Sequence, residues 1–234
     1  MSGQNQTTPY FFTMKSEHHN FIGMYEDAMD TYACDWLIRM FEYNIEQAKP
    51  GVVVSNGIPK EDASIKSSMD LAISLDNYDH RVVNSIVMQS LALCLEEYKD
   101  TYPTLKTLSP WETVPDYNIQ RYLPGQGFRK YHCEHGLHNP YLIMAWMFYL
   151  NDVEGGGTDF PYLNMQLNAK KGNLAIWPAG FSHLHAGIIS ETSTKYIITG
   201  WFQFENSLYD KRRNQRKAEV NFPTDPDWAE NIMQ

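Results

Sequence analysis

Cysteine is scarce in this chain: three residues in 234, Cys34, Cys94 and Cys133, odd in number and widely spaced. That excludes the disulfide framework of a small secreted fold and fits a reducing, cytoplasmic setting. Positive charge is also short, with 19 Lys and Arg against 28 Asp and Glu and a net charge of -9. Phosphate binding depends on clustered cations, so nucleic acid is not an expected partner. Long apolar runs are missing. The longest, from Tyr141 to Leu150, has about half of the roughly 20 residues that a membrane-spanning helix requires. It reads as a buried strand, and no membrane partner is expected. The N-terminus lacks the basic start and apolar stretch of a secretory signal. Internal repeats, low-complexity tracts and Gly/Ser linkers are absent too, leaving nothing to mark a domain boundary.

What is present suits one catalytic domain over 1–234, a length that can bury a single core. From Asp30 to about Ala48, residues Tyr32, Ala33, Trp36, Leu37, Met40, Phe41 and Ile45 follow helical spacing, with Asp30 or Thr31 as N-cap. Met69, Leu71, Ile73 and Leu75 alternate as in a half-buried strand. A second helix carries Val83, Ile86, Val87, Leu91, Cys94, Leu95 and Tyr98 on one face, with Pro103 beyond its end. After Pro110 the chain turns to β-like runs: 117–123, 128–134, 141–150, 173–177, 185–189 and 195–204. Helices first and strands later predict an α+β fold with a mainly β core. Helical support covers about 20–110, a jelly-roll-like core about 115–205 and a polar tail 206–234. In that tail Lys211, Arg212, Arg213, Arg216 and Lys217 read as a solvated face, with contact to an acidic substrate or another subunit as the alternative.

An Fe(II) site that must also bind a co-substrate and O₂ can use only three protein ligands, and two His plus one carboxylate is the usual set. In YHCEHG, His132 and Glu134 lie two apart on an expected strand and project to the same side. Cys133 between them points the other way and reads as packing. His185, in FSHLHAG, is the third ligand candidate. Lys195 follows ten residues later at the start of a strand. Fe(II), one ligand carboxylate and a dianionic co-substrate leave one net negative charge in a dry pocket, which a lysine there would cancel. The competing reading of Lys195 is an exposed strand end. His132, His135 and His138 with Cys133 form an alternative zinc cluster, disfavoured by Gly136 and Asn139-Pro140, which suggest a loop. His183 shares a face with His185 if that segment is extended, and reads as a surface or supporting residue. Gly155, Gly156 and Gly157 lack the neighbours of a phosphate loop and read as a strand turn. Tyr149, Trp177 and Trp201 read as core rather than substrate platform.

Four blocks in order carry a family resemblance: NIQRYLPGQGFRKYHCEHG, MFYLNDVEGGGTDF, KKGNLAIWPAGFSHLHAG and TKYIITGWF. Together they resemble the 2-oxoglutarate and Fe(II)-dependent oxygenase superfamily, in its prolyl 4-hydroxylase-like branch. The resemblance implies a double-stranded β-helix, or jelly roll, buttressed by N-terminal helices. It assigns His132, Glu134 and His185 to iron, Lys195 to the distal carboxylate of 2-oxoglutarate, and Tyr122 to a hydrogen bond with that carboxylate. Most of the family has Asp where this chain has Glu134, a methylene longer. The implied activity is a dioxygenase that uses Fe(II), 2-oxoglutarate and O₂, with ascorbate as accessory, to hydroxylate an unactivated C–H bond and release succinate and CO₂. Prolyl residues of a protein are the expected substrate. The alternatives are a small molecule or free amino acid, a silent jelly-roll binding module, and a cupin-like metalloenzyme without 2-oxoglutarate. Val52 to Lys66 and Asn151 to Leu167 are the expected substrate-selecting loops.

Overall fold

The computed structural model describes residues 15–55, 58–137 and 139–205. The basic cluster of the polar tail, and His138, lie outside the described residues.

Helix α1 (Thr31–Tyr43) starts where Asp30 accepts a hydrogen bond from the Tyr32 backbone N–H at 2.8 Å, satisfying an end the helix cannot satisfy itself. Cys34, Leu37 and Phe41, spaced three and four apart, form its buried stripe. It stops earlier than its apolar spacing suggests. The Asn44 side-chain amide donates to the Met40 carbonyl, and a 3-10 turn (Ile45–Gln47) leads to Pro50, whose ring disfavours helix at the residue before it. Helix α2 (Arg81–Thr101) buries Val83, Val87, Leu91, Cys94 and Tyr98. Neither helix is long and apolar enough to cross a membrane.

The described strands, in order, are β1 (Ser16–His19), β2 (Ile22–Tyr25), β3 (Lys49–Pro50), β4 (Val52–Ser55), β5 (Ile58–Glu61), β6 (Met69–Ser74) and β7 (Trp111–Thr113). There follow β8 (Asp116–Tyr122), β9 (Leu142–Tyr149), β10 (Val153–Phe160), β11 (Met165–Ala169), β12 (Leu174–Pro178), β13 (Ala186–Gly187) and β14 (Lys195–Phe204). The main sheet runs β1-β2-β12-β9-β14-β8-β6-β3, with β7 also paired to β14. A smaller sheet, β11-β10-β13, faces it, and β4-β5 form a separate hairpin.

One face of the main sheet packs on the helices: Leu37, Phe41, Val87 and Leu91 meet Phe148 and Ile198 in one apolar cluster. Between the two sheets lies a second cluster that includes Met147, Phe160, Leu167 and Trp177. The result is the expected α+β architecture, a jelly roll buttressed by helices.

Three local readings change. Residues 128–134 form no strand; the segment is irregular and joins the sheets only through the bridges Lys66↔Phe128 and His132↔His185. The expected strand over 185–189 shrinks to β13. The glycine run is not a turn but part of β10, at a register shift between Val153 and Thr158. Gly155 has φ +62, and a side chain on Gly157 would collide with the Leu167 carbonyl of the paired strand, so glycine is required for this strand to lie where it does.

Candidate metal centre and co-substrate pocket

His132 and His185 are 53 residues apart in sequence, yet each donates its backbone N–H to the other's carbonyl, both at 2.9 Å. This two-bond bridge sets the imidazoles side by side, with ring centroids 4.4 Å apart. Glu134 enters from the same segment, its backbone N–H donating to the Ala179 carbonyl at 3.1 Å. The three side chains converge, offering one ligand atom each within 4.8 Å of one another.

The histidines are presented in a state that suits a metal. Nδ1 of His132 lies 2.9 Å from the Lys130 carbonyl, and Nδ1 of His185 lies 2.9 Å from the His183 carbonyl. A carbonyl can only accept, so Nδ1 carries the proton in each ring and the Nε2 lone pair is left for a ligand bond. Burial, with the nearby His185, pushes His132 down to about 4. It is neutral at ordinary pH. Burial would raise Glu134, but the contacts with His185, then the nearby His132 and the Trp201 indole, outweigh it and hold the carboxyl at about 2. His185 Nε2 stands 3.4 Å from Glu134 Oε1, while Trp201 Nε1 donates to Glu134 Oε2 at 2.7 Å. Two imidazoles and one carboxylate, each fixed by the backbone or an N–H, are a donor set that fits Fe(II).

Lys195 is 5 % exposed at the start of β14, so it is not an exposed strand end. Its ammonium donates to the Gly156 carbonyl at 2.7 Å and the Ile188 carbonyl at 2.9 Å. Among the described residues it meets no carboxylate, and burial pushes it down to about 8. An ammonium has three donors, so one remains. Tyr122 sits directly opposite on β8, with the Lys195 nitrogen 5.4 Å from its ring centre. Its hydroxyl donates to Gln120 Oε1 at 2.7 Å.

Triad, Lys195 and Tyr122 line one cavity of about 1080 Å³, which extends along the sheet to Lys49 and His80. Among the described residues the alternatives to this grouping are not assembled. His183 is buried and hydrogen-bonded through both ring nitrogens, to Ser182 and to the Asn20 carbonyl. His135 is exposed and contacts the Leu142 carbonyl. Cys133 lines the cavity, its thiol 3.5 Å from the His135 carbonyl, and it is not among the converging ligand atoms.

Several residues here escape sequence reasoning. Trp201, read as core, donates its indole N–H to the Glu134 carboxylate. Tyr149 and Thr158 share a hydrogen bond of 2.7 Å at the cavity wall, and Phe128 stacks on His132 with centroids 3.8 Å apart. The one available signal was alternation along β14: Lys195, Ile197, Thr199 and Trp201 must share a face, so a Lys195 in the pocket places Trp201 there too.

Comparison with known proteins agrees with this geometry. Residues 117–203 match the family profile described as the 2OG-Fe(II) oxygenase superfamily. No curated protein sequence matches the chain. Among solved structures, a prolyl hydroxylase of Trichoplax adhaerens in complex with a hypoxia inducible factor oxygen degradation domain peptide fragment aligns at TM-score 0.60 and 13% identity. That alignment covers 84% of this chain and 87% of that one. The 2OG complex of the viral collagen prolyl hydroxylase from Paramecium Bursaria Chlorella virus-1 aligns at TM-score 0.57 and 19% identity, covering 78% and 96%. A Pseudomonas putida prolyl-4-hydroxylase aligns at 0.57 and 13%, covering 79% and 93%. At such identities these likenesses establish the fold. The likeness to the 2OG-Fe(II) oxygenase superfamily profile is confined to residues 117–203, the stretch that holds His132, Glu134, His185 and Lys195.

Proposed function

We propose that this protein is a 2-oxoglutarate-dependent dioxygenase that binds iron through His132, Glu134 and His185 and acts on prolyl residues of a peptide or protein. The observation that carries the reading is the convergence of two Nε2 atoms and one carboxylate beside a buried lysine with no carboxylate partner among the described residues. When bound, Fe(II) with 2-oxoglutarate and O₂ supplies the oxidation: one oxygen atom goes to the substrate C–H bond as hydroxyl, the other to succinate, with release of CO₂.

The chain's own residues supply placement. The remaining donor of Lys195 would meet the distal carboxylate of 2-oxoglutarate, an arrangement in which a desolvated cation gains an anionic partner. Tyr122 would join it by turning its hydroxyl from Gln120, the partner directly beside it. Trp177, packed edge-on against His185 at 5.0 Å, and Phe160 at 5.5 Å exclude water on the other side of that ring. The prolyl reading draws support from the three prolyl hydroxylases of like fold, one of them holding a peptide, and from a cavity too large for a five-carbon diacid alone.

Anaerobic addition of 2-oxoglutarate to the Fe(II)-loaded protein should produce a weak visible charge-transfer band. Lys195→Ala should lose that band at the same 2-oxoglutarate concentration while retaining metal. Unchanged co-substrate affinity in the variant would remove Lys195 from the site, and absence of any band in the wild type would remove 2-oxoglutarate from the mechanism. Succinate release with and without proline-containing peptides then tests the substrate.

A further inference from the structure

Glu134 is the ligand candidate with the greatest freedom. A glutamate carboxylate hangs on three side-chain torsions, the last of them broad and only weakly staggered. The imidazoles, by contrast, are each tied by Nδ1 to a carbonyl two residues away. For the carboxylate the corresponding tie comes from far along the chain: Trp201 Nε1 donates to Oε2 at 2.7 Å, leaving Oε1 turned toward His185. An indole N–H is a donor only, with one hydrogen, so its direction assigns the two oxygens different tasks.

The donor is itself tied into the sheet and packed. Trp201 lies opposite Ala145 on β9, a small partner that leaves room for the indole over the sheet. Its backbone carbonyl accepts from Val114 at 2.8 Å, and its ring packs against the cluster of Val114, Leu142 and Ala179. Ala179 is also the residue whose carbonyl receives the Glu134 backbone N–H. One packed unit therefore grips Glu134 at both ends, backbone and carboxylate.

We propose that Trp201 is a positioning residue for the metal centre: its indole N–H holds one carboxylate oxygen of Glu134 so that the other is presented with the two Nε2 atoms. This rests on the metal reading above, and it goes beyond that reading in making metal affinity depend on a tryptophan that donates no ligand atom. A merely structural Trp201 would fill space, and a phenylalanine would serve nearly as well.

Titration of the full chain with Co(II), followed by its visible absorption bands, tests this without turnover. Trp201→Phe keeps most of the ring and loses the N–H; it should bind Co(II) roughly 10- to 100-fold more weakly than wild type, the usual effect of removing a group that orients a ligand. Glu134→Asp withdraws the carboxylate by about 1.5 Å, beyond a 2.7 Å contact with the indole. On that background Trp201→Phe should change affinity less than about twofold, whatever Glu134→Asp costs alone. Equal affinity of Trp201→Phe and wild type overturns the proposal, and so does an equal loss on both backgrounds, which would mean packing only. Failure of the wild type to bind Co(II) overturns the metal reading, and this inference with it. If Trp201→Phe does not fold, the indole N–H resonance of Trp201 in the metal-free wild type decides. It should exchange slowly with water and move on Glu134→Gln substitution, and a resonance indifferent to that change overturns the proposal.

Discussion

On one side of β14, Tyr196, Ile198 and Phe202 pack into the apolar cluster shared with the helices; on the other, Lys195, Ile197, Thr199 and Trp201 line the cavity. The same ten residues thus serve two regions, because side chains alternate along a strand. The helix-backed side is held by area: Trp146, Phe148, Ile198 and Phe202 are fully buried and need only fit. The cavity side is held by individual bonds. Lys195 meets two carbonyls, Tyr122 meets Gln120, Tyr149 meets Thr158, and Glu134 meets Trp201. Buried polar groups without such partners would be costly. Stability should therefore depend chiefly on the first region and ligand affinity on the second.

The strongest way to break that division is to empty the helix-backed side. Phe148→Ala should destabilise the fold by about 3–5 kcal/mol, read by urea denaturation, while the folded fraction keeps wild-type metal affinity. A variant that folds well and loses metal would show that the two regions are coupled.

A smaller effect comes from pH. Below about 8, Lys195 is charged in both folded and unfolded chains, and the folded state bears the cost of burying it. Between about 8 and its ordinary 10.5 the unfolded chain holds a proton that the folded chain has released, so stability rises with pH across that window. Denaturation of wild type and Lys195→Met at either end of the window should reveal a difference on the order of 3 kcal/mol that only the wild type gains. The same proton should make 2-oxoglutarate binding weaken above pH 8, since a neutral Lys195 must first regain it. Constant affinity from pH 7 to 9 would argue against contact.

The smallest change sharpens the comparison from outside both regions. Asp30→Ala removes the cap of α1 and should cost about 1 kcal/mol with no change in metal affinity, measured by the same two assays.

The helices and the long strands were legible because their signals are local. Leu37 and Phe41, or Val83, Val87 and Leu91, mark a helix face by spacing alone, and Lys195 to Phe204 alternates cleanly enough that its bounds match. Strand β10 was hidden because three successive glycines are poor strand formers; only the approach of the Leu167 carbonyl explains why nothing larger can stand there. Residues 128–134 deceived in the opposite sense. Alternation put His132 and Glu134 on one side of a supposed strand, whereas the structure brings them together through an irregular segment, anchored by His185 and Ala179.

By itself the sequence determined which residue types could carry the chemistry, their order along the chain, and the faces of helices and long strands on which they lie. Those follow from short-range geometry, 3.6 residues per turn or two per pleat, which any stretch of chain must obey. Tertiary structure alone decided that the His132 segment lies against His185, that Lys195 is desolvated rather than exposed, and that Trp201 reaches Glu134 across 67 residues. Such contacts depend on how separate backbones pack, and the free energy that selects one packing is summed over the whole core and is not written in any one segment.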